Sequence, residues 1–287
     1  MTKPKRHHYL PESYQKGFWD EQAKKICFID LQTGTRAATA PRNVGVEKHL
    51  YRFDTPVEGV SDTAIENPLL STLDHRYVTA LRKIEGDFND DDRQSLAIAL
   101  AFLRFRTPLM FRDVEMRAID FFLAEIKKNP GKVAQAAAIG VNLDDPAAFM
   151  DSTSEIFQVP KDLVLSVFLK SSVDFAFALV AMGWRVYTTD TGKFITSDKP
   201  FSAVEGPGLF SSNGVRGSYL IPLSSRLCLE IGACEQPLEF VPLSLDQVRE
   251  INGIVAYCAD KKIFGSHFEE LDLALASSEL DTPTPKQ

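Results

Sequence analysis

The sequence predicts an α+β protein in which central, mostly buried helices pack against a small antiparallel sheet. Two observations lead to this prediction. Apolar residues recur at helical spacing through the middle of the chain, and short runs of alternating polar and apolar residues lie on either side of that stretch. The expected order is therefore short strands, then long helices, then more strands and one late helix.

Length and composition support a folded, soluble chain. The protein has 287 residues, of which 44% are hydrophobic and 25% are charged. We expect a single globular domain over residues 1–276 and a polar, disordered tail over residues 277–287, where prolines are frequent and apolar residues are few. No internal repeat is visible in the sequence.

The charge balance excludes a protein that coats nucleic acid or an anionic membrane through its bulk charge. The formal net charge is −7, from 32 lysines and arginines against 39 acidic residues. Binding of nucleic acid through a local basic groove stays open, and Lys3, Lys5, Arg6 and His7 would line that groove.

Cysteine usage and hydropathy favour a cytoplasmic protein without a membrane partner. The four cysteines form no CxxC pair, which favours reduced thiols. The basic N-terminus lacks the apolar region of a secretory signal. The longest charge-free apolar stretch, residues 175–184, is about half the length of a membrane span.

The first 60 residues predict short strands. A hairpin is expected around a turn at Thr33 and Gly34, and residues 49–53 are expected to form another short strand. Asn67 and Pro68 have the residue types favoured at the N-cap and first position of a helix. Apolar residues at helical spacing follow them, so the first long helix is expected to begin there.

Three further helices are predicted after this one. The first begins after the aspartates at residues 90–92 and is apolar nearly all round, which predicts a buried central helix. Pro108 ends or kinks it, because Thr107, the residue before this proline, avoids the helical conformation. A second helix covers residues 109–128 and, after an alanine-rich segment, Pro160 begins a third that ends near Ala181.

Strands and a last helix are expected in the final third of the chain. Residues 184–190 and 193–198 predict a hairpin about a tight turn at Thr191 and Gly192. Beyond a glycine- and serine-rich loop at residues 206–217, the expected elements are strands at residues 217–224 and 226–233, a helix at residues 245–260 and an extended segment at residues 262–266.

Several standard catalytic motifs are absent from the sequence. There is no GxxxxGK[ST] phosphate loop, no GxGxxG fingerprint, no GxSxG nucleophile motif and no HExxH zinc motif. The five histidines lack metal-ligand spacing with the cysteines, so a structural zinc site is not expected.

Four clusters of polar residues remain as site candidates. The first is residues 7–18, where aromatic side chains would hold the N-terminus against the body and leave His7 or His8 as a general base or ligand; the alternative is a local clasp.

The second cluster consists of Glu66 and Asp74, which lie eight positions apart beside the first long helix. They would hold a divalent cation such as Mg²⁺ or Mn²⁺, or else they are exposed surface acids.

The third cluster ends the apolar central helix. Arg104 and Arg106 point about 200° apart on a helix, so one could bind an anionic ligand while the other pairs with a core acid, unless both form structural ion pairs. The fourth cluster ends an apolar strand. There Asp198 is a candidate metal ligand or base, Ser197 a positioning hydroxyl and Lys199 an electrostatic clamp, unless the segment is an ordinary turn.

In this order, these motifs resemble a bacterial family catalogued as domain of unknown function 4238. The matching segments are H-x-Y-x-P at residues 7–11, R-T-P at residues 106–108, F-[IL]-T-S-D-x-P at residues 194–200, P-L-S at residues 222–224 and the late helix with Asn252. The resemblance covers about residues 7–265. It implies a site that contains His7, Arg106, Asp198 and Asn252, and it implies no established activity.

The leading hypothesis is a hydrolase of nuclease or phosphodiesterase type that acts on an anionic substrate. His7 or His8 would be the acid/base group, Asp198 and Glu66 would bind metal or activate water, and Arg106 would hold phosphate. The full set of predicted metal ligands is Glu66, Asp74 and Asp198, and the predicted substrate contacts are Arg104, Arg106, Ser197, Lys199 and Asn252.

The competing hypothesis is a non-catalytic sensor or interaction protein in bacterial stress or phage defence. In that case the same polar residues would form a buried structural network. Convergence of His7, Glu66, Arg106 and Asp198 in an open pocket would favour the enzyme, whereas burial in mutually satisfied pairs would favour the binding protein.

Overall fold

A computed structural model describes residues 6–52, 61, 64–153, 159–204, 218–232 and 238–280. The helices are α1 (Glu12–Gln15), α2 (Ser71–Lys83), α3 (Asp90–Phe105), α4 (Pro108–Lys127), α5 (Pro130–Ala138), α6 (Pro146–Thr153), α7 (Lys161–Ala181), α8 (Leu245–Cys258) and α9 (Phe268–Leu280). The strands are β1 (Arg6–His8), β2 (Ile26–Asp30), β3 (Arg36–Thr39), β4 (Val46–Lys48), β5 (Trp184–Thr188), β6 (Thr196–Ser197), β7 (Ser202–Val204), β8 (Ser218–Pro222), β9 (Leu227–Ile231), β10 (Leu238–Pro242) and β11 (Lys262–Gly265). The fold is α+β, as the sequence predicts.

The described strands form three sheets. The largest has the order β10-β5-β9-β8-β7 and is antiparallel except for the parallel pair of β10 with β5. The second is antiparallel with the order β3-β2-β11-β6, and β1 pairs with β4 in a two-stranded ribbon. The predicted hairpin at Thr33 and Gly34 is β2 with β3.

Helices α2, α3 and α7 form the centre of the molecule. An Asn89 side chain caps α3 through a reciprocal hydrogen-bond pair with Asp92. Along α3, Leu96 and Leu100 are fully buried, and the Phe102 ring meets Phe168 of α7 edge-on, with centroids 5.5 Å apart. Full burial of one leucine side chain stabilises a fold by about 1.5–3 kcal/mol, so this apolar layer is the main source of cohesion.

The predicted hairpin of residues 184–190 with residues 193–198 is wrong. Strand β5 pairs with β9 and β10, whereas β6 pairs with β11 in the other sheet. The cause is Asn252 on α8, whose side-chain oxygen accepts the N–H of Ile195 (3.0 Å) and whose amide donates to the Lys193 carbonyl (2.9 Å). The Asn252 side chain thus satisfies backbone groups of Lys193 and Ile195 that β5 would bond in the predicted hairpin.

Other predicted boundaries also change. The strand expected at residues 49–53 is wrong for residues 49–52, since β4 comes earlier and His49 lies in a turn with a left-handed φ of 55°; residue 53 lies outside the described residues. Asn67 has an extended backbone (φ −142°, ψ 117°) at a kink, as a residue that precedes a helix does, and helical structure runs from Pro68 into α2; its side-chain oxygen accepts a hydrogen bond from the Ser71 hydroxyl (3.3 Å). Helix α9 continues to Leu280, so the disordered tail predicted from residue 277 is wrong for its first four residues.

Some predictions concern residues that the structure does not describe. Lys3, Lys5, the loop at residues 206–217 and the tail beyond Leu280 lie outside the described residues. The alanine-rich segment, for which no element was predicted, forms α5.

Among the described helices, α7 is long and apolar enough to cross a membrane, judged by length and composition alone. A third of its most apolar window is buried, and Phe177 is 74% exposed. The central helix of a soluble protein can have the same composition, so this feature does not assign a membrane location. The longest charge-free apolar stretch, residues 175–184, covers only the C-terminal part of α7, because Lys170 and Asp174 lie within the helix and pair on its surface.

Candidate functional site

The N-terminal segment packs as a clasp against the body of the protein. Its aromatic residues Tyr9, Tyr14 and Phe18 are buried. The Tyr14 hydroxyl donates to the Pro222 carbonyl (2.8 Å) and shares a 2.7 Å hydrogen bond with the Thr196 hydroxyl. These contacts join the clasp to both large sheets.

Strand β1 places its two histidines on opposite faces, as alternation along a strand requires. His7 is buried and stacks on Tyr51, with ring centroids 5.6 Å apart, and its Nδ1 accepts the Tyr51 N–H at 2.9 Å. His8 is half-buried on the other face, near the charged groups of Arg106 and Asp74. The side chains of His7 and His8 therefore cannot act together at one site.

The Arg106 side chain connects separate segments of the protein through hydrogen bonds. Its Nη1 donates to Asp74 Oδ1 at 2.8 Å, and its Nη2 donates to the His8 carbonyl at 2.6 Å. The Tyr51 hydroxyl donates to the Arg106 carbonyl at 2.7 Å. Both terminal amino groups are thus engaged within the protein, and the side chain is only 3% exposed. These contacts do not support the predicted role of Arg106 in holding phosphate, because Asp74 and the His8 carbonyl already occupy its terminal amino groups.

Asp198 also forms internal hydrogen bonds. Its Oδ1 accepts the N–H of Asp260 at 3.0 Å and its Oδ2 accepts the N–H of Lys261 at 2.9 Å. Burial raises the pKa of Asp198, and these N–H groups act against that rise. Beside it, Ser197 Oγ bonds both the carbonyl and the N–H of Lys199. The S-D-K segment therefore shapes a turn.

The predicted metal ligands are not brought together. Glu66 and Asp74 lie beside Arg106, whereas Asp198 is bound to the turn before β11. Among the residues that the structure describes, no three His, Cys, Asp or Glu side chains are grouped as a metal site needs. The predicted site of Glu66, Asp74 and Asp198 is thus not assembled in this part of the chain.

Two buried polar atoms near Arg106, His8 Nε2 and Glu66 Oε2, have no hydrogen-bond partner among the residues that the structure describes. Burial lowers the pKa of His8, and the Arg106 cation adds to this effect. Burial raises the pKa of Glu66, with a contribution from Asp74, although Arg106 opposes it. Both shifts favour the uncharged form, so the histidine and the carboxyl are matched as proton acceptor and donor.

A cleft of about 450 Å³ opens between the end of β4, the starts of α4 and α7 and the turn before β11. Its charged lining residues are the cations Lys48, Arg112, Lys161 and Lys261 and the acids Glu47 and Glu115. These cations come from β4, α4, α7 and the turn before β11. The cleft is therefore formally positive in a chain whose net charge is −7.

The cations of the cleft differ in their partners. Arg112 pairs with Asp260 at 2.7 Å, and the Lys161 ammonium group donates to the His49 carbonyl. Within the described part of the chain, Lys48 and Lys261 form no ion pair. Their ammonium groups are thus available to a ligand.

The acids of the cleft are less effective at neutralising it than their number suggests. Burial raises the pKa of Glu115, although Lys161 and Arg112 act to lower it. Glu47 is exposed, so solvent screens its charge, as it does that of the exposed Lys48 beside it.

The sequence motifs build the frame of this cleft. Pro108 of the R-T-P turn begins α4 and lines the cleft, Asp198 fixes the turn that carries Lys261, and β1 pairs with the strand that carries Lys48. Sequence analysis missed the cleft itself, because no spacing pattern links cations from four separate elements.

Arg104 and Asn252, the other predicted contacts, lie elsewhere. Asn252 holds the segment before β6, as described above. Arg104 points away from Arg106, and its guanidinium packs on the rings of Phe175 and Tyr219.

Sequence analysis also missed a buried network in the largest sheet. Glu230 is fully buried and accepts hydrogen bonds from the Tyr187 hydroxyl (2.5 Å) and the Ser218 hydroxyl (2.7 Å). Arg185 lies 3.5 Å from the same carboxylate and bonds Glu239 at 2.8 Å. A glutamate flanked by leucine and isoleucine in an apolar strand was the signal available in the sequence.

Comparison with known proteins gives one result. A family model described as a protein of unknown function, DUF4238, matches residues 6–268. No curated protein and no solved structure matches the chain. The clasp, the cleft and the His8–Glu66 region all lie within the matched residues.

Proposed function

This chain belongs to the DUF4238 family, and we propose that it is an anion-binding protein whose phosphate-bearing ligand, a nucleotide or a segment of single-stranded nucleic acid, lies in the cationic cleft. The observation that carries the proposal is the convergence of four cationic side chains on one cleft of an otherwise acidic chain. A cytoplasmic location, where such ligands are present, is part of the proposal, and Cys27, Cys228 and Cys258 are free thiols that fit it.

Charge favours an anionic ligand over a neutral one. A cleft lined by one sign of charge, with protein walls of low dielectric constant, concentrates the field and raises the local concentration of the opposite ion. Lys48 and Lys261 contribute charge that no carboxylate of the described residues neutralises. Binding would therefore weaken as the salt concentration rises.

The two helices that begin at the cleft add to this field. Helix α4 has 20 residues and α7 has 21, and Pro108 and Lys161 at their first positions both line the cleft. The N-terminus of a long helix carries a partial positive charge, which favours phosphate.

Volume and shape indicate the size of the ligand. A volume of about 450 Å³ lies within the usual range of about 300–1,000 Å³ for small-molecule sites. It accommodates one nucleotide and is too small for a duplex. Pro108 and the buried ring of Phe111 supply an apolar wall.

The test measures binding of a fluorescent ten-nucleotide single strand by anisotropy, with adenosine diphosphate as a competitor. Lys48→Ala and Lys261→Ala should each weaken binding about tenfold, since a hydrogen bond to a charged group contributes about 1.5–3 kcal/mol. Each should also reduce the salt slope by about one. Lys170→Ala, a matched charge removal on the exposed face of α7, should change neither.

The two ligand sources give different results. Competition by the nucleotide at the affinity of the single strand identifies a mononucleotide site, whereas binding of the strand alone identifies a nucleic-acid site. The proposal fails if neither probe binds, or if the two cleft variants bind like Lys170→Ala.

A second candidate function, hydrolysis of a phosphodiester, is supported by His8 and Glu66. Their unpartnered buried atoms and opposite pKa shifts are what a proton acceptor and a proton donor require. Cleavage of labelled RNA and DNA is measured with Mg²⁺ or Mn²⁺ in the wild type, in His8→Gln and in Glu66→Gln. Loss of cleavage in both variants, with strand binding retained, supports catalysis; wild-type binding without cleavage supports a non-catalytic sensor.

A further inference from the structure

Arg104 has an unusual environment. It lies one residue before the end of α3, and its Cζ atom is 4.8 Å from the centroid of the Tyr219 ring, 5.0 Å from that of Phe175 and 5.5 Å from that of Phe201. The ring of its neighbour Phe105 is 5.7 Å away. The guanidinium thus contacts aromatic rings from α3, from α7, from β8 and from the residue just before β7.

The buried arginines Arg93 and Arg106 bond oxygen atoms, whereas the half-buried Arg104 does not do so within the described part of the chain. Arg93 donates to the carbonyls of Val180 and Met182, and Arg106 donates to Asp74. In the portion of the chain that the structure describes, Arg104 makes no hydrogen bond and no ion pair.

The guanidinium is only partly closed off. Its Nε is buried without a partner, whereas the terminal amino groups are not among the buried unpartnered atoms. Burial also lowers the pKa of Arg104, which means that its surroundings disfavour the cation. Ring faces attract a cation, but they accept no conventional hydrogen bond from its N–H groups. Among the residues that the structure describes, no oxygen atom accepts a hydrogen bond from this guanidinium.

We propose that Arg104 binds the anionic group of an aromatic acid, a carboxylate or a phosphate joined to an aromatic ring, at a site separate from the cationic cleft. A guanidinium fork matches both oxyanions, and the half-buried rings of Phe175 and Tyr219 would contact the aromatic part. This pairing of one charged group with an apolar wall is typical of small-molecule sites.

The two sites lie on different sides of α3. Arg104 and Arg106 diverge by about 200° around the helix, and Arg106 lies on the side of Tyr51 and the cleft. On α7, Phe168 contacts Tyr51, whereas Phe175, about two turns further along, contacts Arg104. Loss of one site should therefore leave the other intact.

The experiment titrates the protein with benzoate, phenyl phosphate and the uncharged benzyl alcohol by isothermal calorimetry. Wild type should bind one or both anions at millimolar concentration and not the alcohol. Arg104→Met, which keeps the length of the side chain without its charge, should lose at least about tenfold in affinity. Arg104→Lys should lie between the two, because it keeps charge without the fork.

Thermal stability separates this proposal from a structural role. A methionine side chain also packs favourably on aromatic rings, so Arg104→Met should keep most of this packing and melt near the wild-type temperature. A lower melting temperature with unchanged anion binding, or no saturable anion binding by wild type, overturns the proposal. Lys48→Ala should still bind benzoate, so failure of the cleft proposal would be distinguishable.

Discussion

Arg106 Nη1 lies 2.8 Å from Asp74 Oδ1, and this ion pair joins the end of α3 to the start of α2. The Arg106 side chain is 3% exposed and that of Asp74 is 29% exposed, so the pair is partly shielded from water. Because Arg106 also bonds the His8 carbonyl, one side chain holds three segments together. The arginine of the R-T-P turn thus belongs to the frame that supports the cleft.

Asp74→Asn should destabilise the protein by about 3 kcal/mol. Removing one partner leaves Arg106 with a buried charge that nothing neutralises, which costs about 3–5 kcal/mol in fully buried pairs. Because Asp74 is partly exposed, we expect the cost for this pair to lie at the lower end of that range. Urea denaturation measures the free energy of unfolding, with the slope expected to stay at its wild-type value.

The control for this prediction is Asp174→Asn. Asp174 pairs with Lys170 on the surface of α7, where both side chains are more than half exposed. Exposed pairs contribute about 0–1 kcal/mol, so this variant should unfold near the wild-type urea concentration. Equal stability losses in the two aspartate variants would contradict the structural role of the Arg106 pair.

Asp198→Asn should loosen the turn that carries Lys261. The carboxylate accepts two N–H groups, whereas an asparagine side chain offers one acceptor and turns a donor toward the other N–H. We expect a loss of about 2 kcal/mol in stability. We also expect faster hydrogen exchange at the amides of Asp260 and Lys261.

Asp190→Asn serves as the matched substitution at an exposed aspartate. Asp190 is 86% exposed and pairs with Arg226, so its replacement should leave exchange in the Lys261 turn unchanged. If Asp198→Asn also leaves that exchange unchanged, the carboxylate does not hold the turn.

Elements with a complete local signal were predictable from the sequence. Helix α3 has a capping side chain at Asn89, acids in its first turn and an apolar run behind them. Helix α8 begins with a similar box at Ser244 and Gln247. Each signal lies within one or two turns of chain, so it needs no knowledge of distant residues.

The errors arose where a distant residue decides the outcome. Residues 193–198 have the pattern of a second hairpin strand, but Asn252 binds their backbone from a helix more than 50 residues later. The same holds for the site. Residue types predicted Asp198 and Arg106 as polar centres, yet their roles depend on which N–H groups and carboxylates the fold brings to them.

Acidification should destabilise the native state through His8. Burial and Arg106 hold the pKa of His8 below 6.5 in the folded protein, so the unfolded chain takes up the proton first as the pH falls through 6.5. Unfolding is therefore favoured at lower pH. His8→Gln removes this contribution and should lose less thermal stability than wild type between pH 7 and pH 5.

Glu66 should act with the opposite sign. Its folded pKa is raised above 4.5, so the unfolded chain releases the proton first as the pH rises from 4.5 toward the folded value. Glu66→Gln should therefore gain stability relative to wild type across that window. A His8→Gln profile parallel to wild type would contradict a lowered His8 pKa.

Tyr187→Phe should destabilise the protein by about 1–3 kcal/mol, because it leaves part of a fully buried carboxylate without its donor. The Tyr187 hydroxyl donates to Glu230 at 2.5 Å, and removing it creates little cavity, so the loss reports the hydrogen bond. Tyr257→Phe removes a hydroxyl from a side chain that is 66% exposed and should be neutral. Urea midpoints compare the two variants, and equal midpoints would mean that Ser218 and Arg185 satisfy Glu230 without the tyrosine.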